Sequence, residues 1–113
     1  MRKDHDIETL TFYVKLLMEM KELDEYPFIK MFIEKGVTEK EYQELMVLLS
    51  NIQEEYESQK ENGMLDFTGL LIQFAGELNP KLHPDELMNA LIKEERYLEV
   101  MTELKKIREK GYF

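Results

Sequence analysis

Apolar residues recur every three or four positions along most of this chain, which is the spacing of helices that each bury one face. The first apolar segment, residues 7–22, differs from the rest because it carries two such stripes on neighbouring faces. Little polar surface remains on it apart from Glu8, Lys15 and Glu19. A helix that is apolar nearly all round must be covered on more than one side, so we expect several neighbours around this segment.

Helix-capping residues divide the stretch from Asp24 to residue 62 into two further predicted helices. Asp24 is a suitable N-cap for a short second helix, and Gly36 can adopt the left-handed conformation that ends it. Thr38 and Glu41 have the Thr-x-x-Glu spacing of a capping box, which predicts the start of a third helix. That helix is expected to continue to about residue 62.

A fourth helix is predicted over residues 67–78, with Asp66 as its cap. Its high apolar content makes it the expected central, buried helix. Gly69 and Gly76 lie seven positions apart and therefore on one face of it. Each glycine costs up to about 1 kcal/mol inside a helix. We expect a neighbouring helix, packed at close range against this face, to offset that cost.

One long fifth helix is predicted from Pro84, a residue favoured at the first helical position, to about Lys110. The third and fifth helices would then be roughly 36 and 40 Å long at 1.5 Å per residue. A compact globule of this chain length is only roughly 34 Å across. Helices that match or exceed the width of the monomer favour self-association, most often as a two-fold dimer.

The pattern therefore predicts an all-α, multihelical single domain over residues 1–113, with about five helices, two of them long, packed as a homo-oligomeric bundle. The first helix is the expected subunit interface because it is apolar on two faces. The candidate interface residues are Leu10, Tyr13, Leu17 and Met20.

Composition limits the expected partners and compartment. The chain has a formal net charge of −9 and no cysteine. An acidic surface repels phosphate backbones, so no nucleic-acid partner is expected. The absence of cysteine excludes disulfides, thiolate metal sites and thiol catalysis, and it fits a reducing compartment. The charged start of the chain and the short uncharged stretches predict neither a signal peptide nor a membrane span, and so a soluble, cytoplasmic protein.

The sequence contains no motif for catalysis or cofactor binding. Its five glycines form neither a Gly-x-Gly-x-x-Gly fingerprint nor a Walker loop, and no serine lies in a nucleophile elbow. Carboxylate-bridged di-iron bundles need Glu-x-x-His, but Arg2 and Pro80 stand three positions before His5 and His83. We therefore predict no catalytic, cofactor-binding or metal-binding residue, no cofactor and no enzymatic activity. His83 is expected to cap the last helix or to face water.

Three alternative functions stay open at this point. Residues 28–52 have the outline of a helix-turn-helix regulator, although Glu39, Glu41 and Glu44 would then face the DNA phosphates. A protein this acidic can also act by mimicking nucleic acid. The third alternative is a ligand-dependent or metal-dependent site in a cleft between subunits.

An acidic strip is predicted on the last helix, where Glu95, Glu99 and Glu103 follow one another at four-residue spacing. Like charges so placed repel by about 0.2–0.5 kcal/mol per pair. Such a strip is usually a solvated face, and the alternative is that a partner with basic residues binds there.

Several short segments together resemble a known family. They are DFTGLLIQF at 66–74, LNPKL at 78–82, PF at 27–28 and VTE at 37–39. With these segments the chain resembles the YhaI-like family, a group of small, acidic, uncharacterised helical proteins from spore-forming Gram-positive bacteria. The resemblance spans most of the chain. It implies an all-helical fold and no assigned activity, and it brings no catalytic or ligand-binding residues to this sequence.

The function that these features favour is that of a self-associating protein–protein interaction module without catalytic activity. Its expected partners are further copies of the same chain, with a dimer favoured, and an unidentified protein. Neither a nucleic acid nor a membrane is expected as a partner.

Overall fold

The computed structural model describes residues 3–111 and, from residue 6 onward, their side chains. Over these residues the chain is all-α, as predicted, with six α-helices, one 3-10 helix (Lys21–Glu25) and no strand. The α-helices are α1 (Lys3–Met18), α2 (Pro27–Lys35), α3 (Glu39–Glu61), α4 (Thr68–Glu77), α5 (Pro84–Lys93) and α6 (Leu98–Glu109).

Helices α2 to α6 and the connectors between them, which we call the body, hold the whole of the hydrophobic core that the structure describes. Its buried residues run from Phe28 in α2 to Leu104 in α6, and Leu49, Ile52 and Phe74 are fully buried between them. Helix α3 packs against α4 and α6, helix α5 packs against α2 and α6, and α4 also packs against α6. Helix α6 is therefore the element around which the body is arranged.

Local capping signals act where the sequence predicts them. The Thr38 hydroxyl accepts the Glu41 amide hydrogen at 3.1 Å, and the Glu41 carboxylate accepts that of Thr38 at 2.9 Å, which completes the capping box of α3. Gly36 ends α2 in the left-handed conformation with a φ of 65°. The prediction for α4 differs in detail: its N-cap is Phe67 instead of Asp66, and the Asp66 carboxylate accepts hydrogen bonds from the backbone amide and the hydroxyl of Thr68.

The start of α2 differs from the prediction. Asp24 does not cap this helix; its carboxylate instead pairs with the Lys30 ammonium at 2.9 Å. The formal N-cap is Tyr26, whose side chain makes no capping bond. The backbone amide of Phe28 has no acceptor within its own helix and donates to the carboxylate of Glu94 at 2.5 Å. Glu94 lies 66 positions further along the chain. A long-range contact has therefore taken the place of the predicted local cap.

The prediction of a single long helix over residues 84–110 is also wrong. The helix is interrupted by a turn at residues 94–97, between α5 and α6. Glu95 and Tyr97 have φ angles of 57° and 51° there. This left-handed conformation costs a non-glycine residue about 1–2 kcal/mol, so contacts elsewhere must stabilise the turn. The described residues thus form six α-helices instead of about five, and α3 is the longest helix of the body.

Contacts on both sides of this turn hold it in place. The Arg108 guanidinium at the end of α6 binds the Asp85 carboxylate at the start of α5 through two bonds of 3.0 and 3.3 Å. The Lys93 ammonium donates to the backbone oxygen of Asp24 at 2.7 Å. Arg96 lies over the ring of Phe28, 5.1 Å from its centre. The turn is thus attached to the start of α2 while α6 folds back along α5.

Helix α4 is less central than its composition predicts. Leu71 and Phe74 are buried, but Ile72 on the opposite face is 55% exposed. Gly69 and Gly76 lie on the exposed face, and a Cβ atom added at either would meet no atom within 4 Å. The expected close-packed neighbour is therefore missing from this face within the described chain, because α3 and α6 both cover the other side.

The molecule is elongated, with extents of 59 × 27 × 23 Å and a radius of gyration of 16.9 Å. A compact chain of this length has a radius of gyration near about 13 Å. Helix α1 accounts for the difference, because it lies outside the body and has no extensive packing partner among the described helices.

The Glu94 contact gives a test of how the body is held together. The Glu94 side chain is only 5% exposed, so Glu94→Ala leaves the buried amide of Phe28 without an acceptor. We expect the free energy of unfolding to fall by about 1–3 kcal/mol. Thermal melts followed by circular dichroism measure the change. Glu95→Ala, at the exposed neighbouring position, is the control and should stay within about 0.5 kcal/mol of the wild type. Equal losses in both variants would contradict the role of Glu94.

Candidate functional site

The most unusual surface of the molecule is the apolar surface of α1 and the two residues that follow it. None of the α1 side chains that the structure describes is buried. Eight large apolar side chains in this segment are between 39% and 61% exposed: Ile7, Leu10, Phe12, Tyr13, Val14, Leu16, Leu17 and Met20. We call these eight residues the α1 surface.

The α1 surface divides into a central face and two flanks. At about 100° per residue, Leu10, Tyr13 and Leu17 lie within an arc of about 60° on α1, and Met20 follows two positions past the end of the helix. This central face consists of Leu10, Tyr13, Leu17 and Met20. Ile7 and Val14 form one flank, and Phe12 and Leu16 form the other. The polar strip of α1, which contains Glu8, Lys15 and Glu19, lies opposite the central face.

All four predicted interface residues are exposed in the single chain and share one face. Met20 lies two positions past the end of α1, where its amide still bonds to the carbonyl of Leu17 at 3.1 Å. Their place in a subunit interface stays a prediction, since the structure contains one chain. The two flanks were not among the predicted residues, although their periodic spacing was visible in the sequence.

The size of the α1 surface sets it apart from ordinary exposed apolar residues. A fully accessible large side chain presents about 150–200 Å², so eight half-exposed side chains present roughly 600–800 Å². The largest apolar patch on a typical monomer is about 300–600 Å². Patches above that range mark surfaces that bind a partner. On this ground the α1 surface is the candidate functional site.

The predicted acidic strip does not exist as one helix face. Glu95 lies in the turn between α5 and α6, and only Glu99 and Glu103 are on α6. The Glu99 carboxylate accepts from the Lys60 ammonium at 2.8 Å, and that ammonium lies 5.2 Å from the centre of the Tyr56 ring. Lys60, followed by the Tyr56 hydroxyl, lowers the pKa of Glu99. Glu99 is thus part of the contact between α3 and α6.

Tyr56 shows the complementary effect at the same contact. Its ring is 3% exposed and lies 4.7 Å from the ring of Phe67, centre to centre. Burial, and then the nearby Glu99 carboxylate, raise the pKa of the Tyr56 hydroxyl to about 12. The hydroxyl therefore stays protonated and serves as a structural hydrogen-bond donor.

An open groove with a volume of about 460 Å³ lies between α2 and α5. Met31 and Ala90 contribute apolar surface, and three lysines lie along it. Lys30 pairs with the carboxylate of Asp24, and Lys93 binds its backbone oxygen. The third, Lys35, lies 3.9 Å from the carboxylate of Glu86. Lys30 and Lys93 thus join the 3-10 helix to α2 and α5.

The segment with a helix-turn-helix outline is not packed like one. Helix α2 packs mainly against α5, and α3 packs mainly against α4 and α6. The two helices touch near their junction, where the rings of Phe32 and Tyr42 lie 5.2 Å apart. At the start of α3, Glu39 is exposed while Glu41 is engaged in hydrogen bonds.

The two histidines have separate positions. His83 caps α5, as predicted, because its Nδ1 atom accepts the amide hydrogen of Asp85 at 3.2 Å. The side chain of His5 lies outside the part of the chain whose side chains are described. Among the described residues, no three His, Cys, Asp or Glu side chains are grouped so that they could hold a metal ion. No helix in the described part of the chain combines the length and the apolar character needed to cross a bilayer.

Comparison with models of known protein families assigns the chain to one of them. The model of a family described as a protein of unknown function, DUF1878, matches residues 1–109. The chain belongs to this family. The matched region covers α1 together with the whole body, so the projecting helix is part of the DUF1878 sequence. The family description assigns no activity.

A charged cluster in this DUF1878 protein joins the start of α3 to the connector before α5. The Lys81 ammonium donates to the Glu41 carboxylate at 2.6 Å and to the backbone oxygen of Gly36 at 3.0 Å. The Asn79 amide donates to the other Glu41 oxygen at 2.9 Å. Lys81, then the amide of Thr38 and then Asn79, lower the pKa of Glu41 to about 2.

This shift predicts a pH dependence for Glu41→Gln. The pKa of Glu41 is below its ordinary value of 4.5, so the carboxylate stabilises the fold above that pH, and the effect is lost as the pH falls towards about 2. Glutamine keeps an acceptor for the capping box but removes the charge. We expect the variant to melt below the wild type at about pH 7, with a difference that shrinks between about pH 5 and pH 2.

Thermal melts across this pH range test the expectation. Glu39→Gln makes the same charge change at the first residue of α3, outside the cluster, and serves as the matched control. A difference between Glu41→Gln and the wild type that is constant with pH would show that the charge of Glu41 does not stabilise the fold.

Proposed function

We propose that this protein is a self-associating protein–protein interaction module that acts through α1 and has no catalytic activity. The observation that carries the proposal is the α1 surface, whose eight large apolar side chains are 39–61% exposed on a helix without an extensive packing partner in its own chain. Exposed apolar surface of this extent loses contact with water when a second copy covers it.

The area of the α1 surface fits this role. When other copies cover the whole α1 surface, each chain buries roughly 600–800 Å², which is about 1,200–1,600 Å² for every two chains. Stable, specific interfaces bury about 1,200–2,000 Å². The body alone contains the buried core, so association through α1 does not require the body to unfold.

The distribution of charge also supports a second copy as the occupant. The net charge of the chain is −9, but residues 1–20 contribute only one unit of it. Copies of α1 can therefore approach one another with little repulsion, while the acidic bodies lie to the side. Together with the extended shape of the molecule, this favours association by the helix over association by the bodies.

The finer assignment of family and compartment rests on the sequence. We place the chain in the YhaI-like group of spore-forming Gram-positive bacteria, on the segments that resemble it, and we assign it to the cytoplasm. Support for the compartment comes from the complete absence of cysteine, which fits a reducing environment.

Leu17→Glu tests the proposal. Leu17 is on the central face and is 51% exposed in the single chain, so a carboxylate there loses its water only when copies associate. We expect the dissociation constant to rise at least about a hundredfold, since a total penalty of about 3 kcal/mol already corresponds to that factor. Light scattering at tens of micromolar should then give a mass near that of one chain, 13.6 kDa.

Thr11→Glu is the matched control, because it adds the same charge to the same helix beside the polar strip. The control should keep the wild-type mass. The circular dichroism spectrum of both variants should remain helical, because the core residues all lie in the body. A wild-type protein of one-chain mass, or a Leu17→Glu variant of unchanged mass and affinity, would contradict self-association through α1.

A further inference from the structure

We infer that each α1 helix is covered by α1 helices from at least two other copies, so that the assembly contains more than two chains around a central helical bundle. The inference rests on the self-association proposed above. It departs from the two-fold dimer expected from the sequence, which depended partly on a long last helix that the structure divides into α5 and α6.

The width of the apolar arc on α1 carries the inference. At about 100° per residue, the arc from Phe12 through the central face to Ile7 spans about 220°. A two-stranded coiled coil needs only a narrow seam, formed by two positions in seven. The apolar arc of α1 is about twice the width of an ordinary amphipathic stripe, which is about 100°.

A single partner helix would leave part of this arc in water. If the central face pointed at one partner, the two flanks would lie on either side of the contact. Phe12 and Leu16 are 55% and 46% exposed on one flank, and Ile7 and Val14 are 61% and 39% exposed on the other. A helix placed between two neighbours covers both flanks, while its central face points into the bundle.

The polar strip of α1 agrees with this placement. Glu8, Lys15 and Glu19 lie opposite the central face, on the side that a bundle leaves in contact with water. An apolar helix fits flanks of this kind, because its side chains can pack between those of α1. Other α1 helices have this character, and their segments carry little net charge to oppose the contact.

The shape of the molecule leaves room for several copies. Helix α1 has 16 residues, a length of about 24 Å at 1.5 Å per residue. The long dimension of the chain is 59 Å, against 27 and 23 Å across it. Because α1 lies outside the body, helices from neighbouring copies can reach it from more than one side.

The decisive measurement is the mass of the wild-type protein by sedimentation equilibrium at tens of micromolar, together with one variant on each flank. Leu16→Glu and Val14→Glu place a carboxylate on opposite flanks, and Thr11→Glu again provides the control with the same charge change. We expect a wild-type mass of three or more chains, a lower mass for both flank variants, and an unchanged mass for the control.

The outcomes separate this inference from the proposal on which it rests. A wild-type mass of two chains overturns the bundle and leaves self-association intact, whereas a mass of one chain removes both. A mass of three or more chains that is insensitive to Leu16→Glu or to Val14→Glu also overturns the bundle. The wild-type mass is decisive even if a flank variant fails to fold.

Discussion

The closure of the body depends on one carboxylate whose side chain is almost completely covered. Glu94 is 5% exposed and binds the first free amide of α2, at Phe28, while Arg96 lies 3.5 Å away from its other oxygen. Burying a carboxylate is costly unless it is paired and hydrogen-bonded, and the positive end of a helix supplies both charge and donors. This contact attaches the α5–α6 turn to α2, so the body closes upon itself without any contribution from α1.

The closed body explains why α1 does not pack extensively against the other described helices. Every described core residue lies between Phe28 and Leu104, and the 3-10 helix Lys21–Glu25 leads from the body to α1 without burying a residue of its own. A core that is complete without α1 leaves the apolar side chains of that helix in water. The same feature that completes the core of the body therefore leaves the α1 surface exposed, and we propose that other copies cover it.

The sequence predicts those features of the fold that depend on bonds between residues close together in the chain. The caps at Gly36, Thr38 and His83 depend on bonds between residues a few positions apart, and all three form as predicted. The break at residues 94–97 was missed because no glycine or proline marks it, and because Glu94 and Arg96 hold the turn through contacts with Phe28, which is distant in the sequence. A long-range contact also explains why Glu94, and not the predicted Asp24, binds the backbone amide at the start of α2.

For the candidate site, spacing along the helix was enough to place Leu10, Tyr13, Leu17 and Met20 on one face, but it did not reveal their exposure. An apolar helix has the same pattern whether its own chain or another copy covers it. Charge resolves part of this ambiguity, because nearly all of the net charge of −9 lies after residue 20. Repulsion between acidic bodies acts over a screening length of about 8 Å at physiological salt, whereas a nearly neutral helix about 24 Å long extends well beyond it. The helix that the body leaves uncovered is thus also the segment on which copies of this chain can meet most easily.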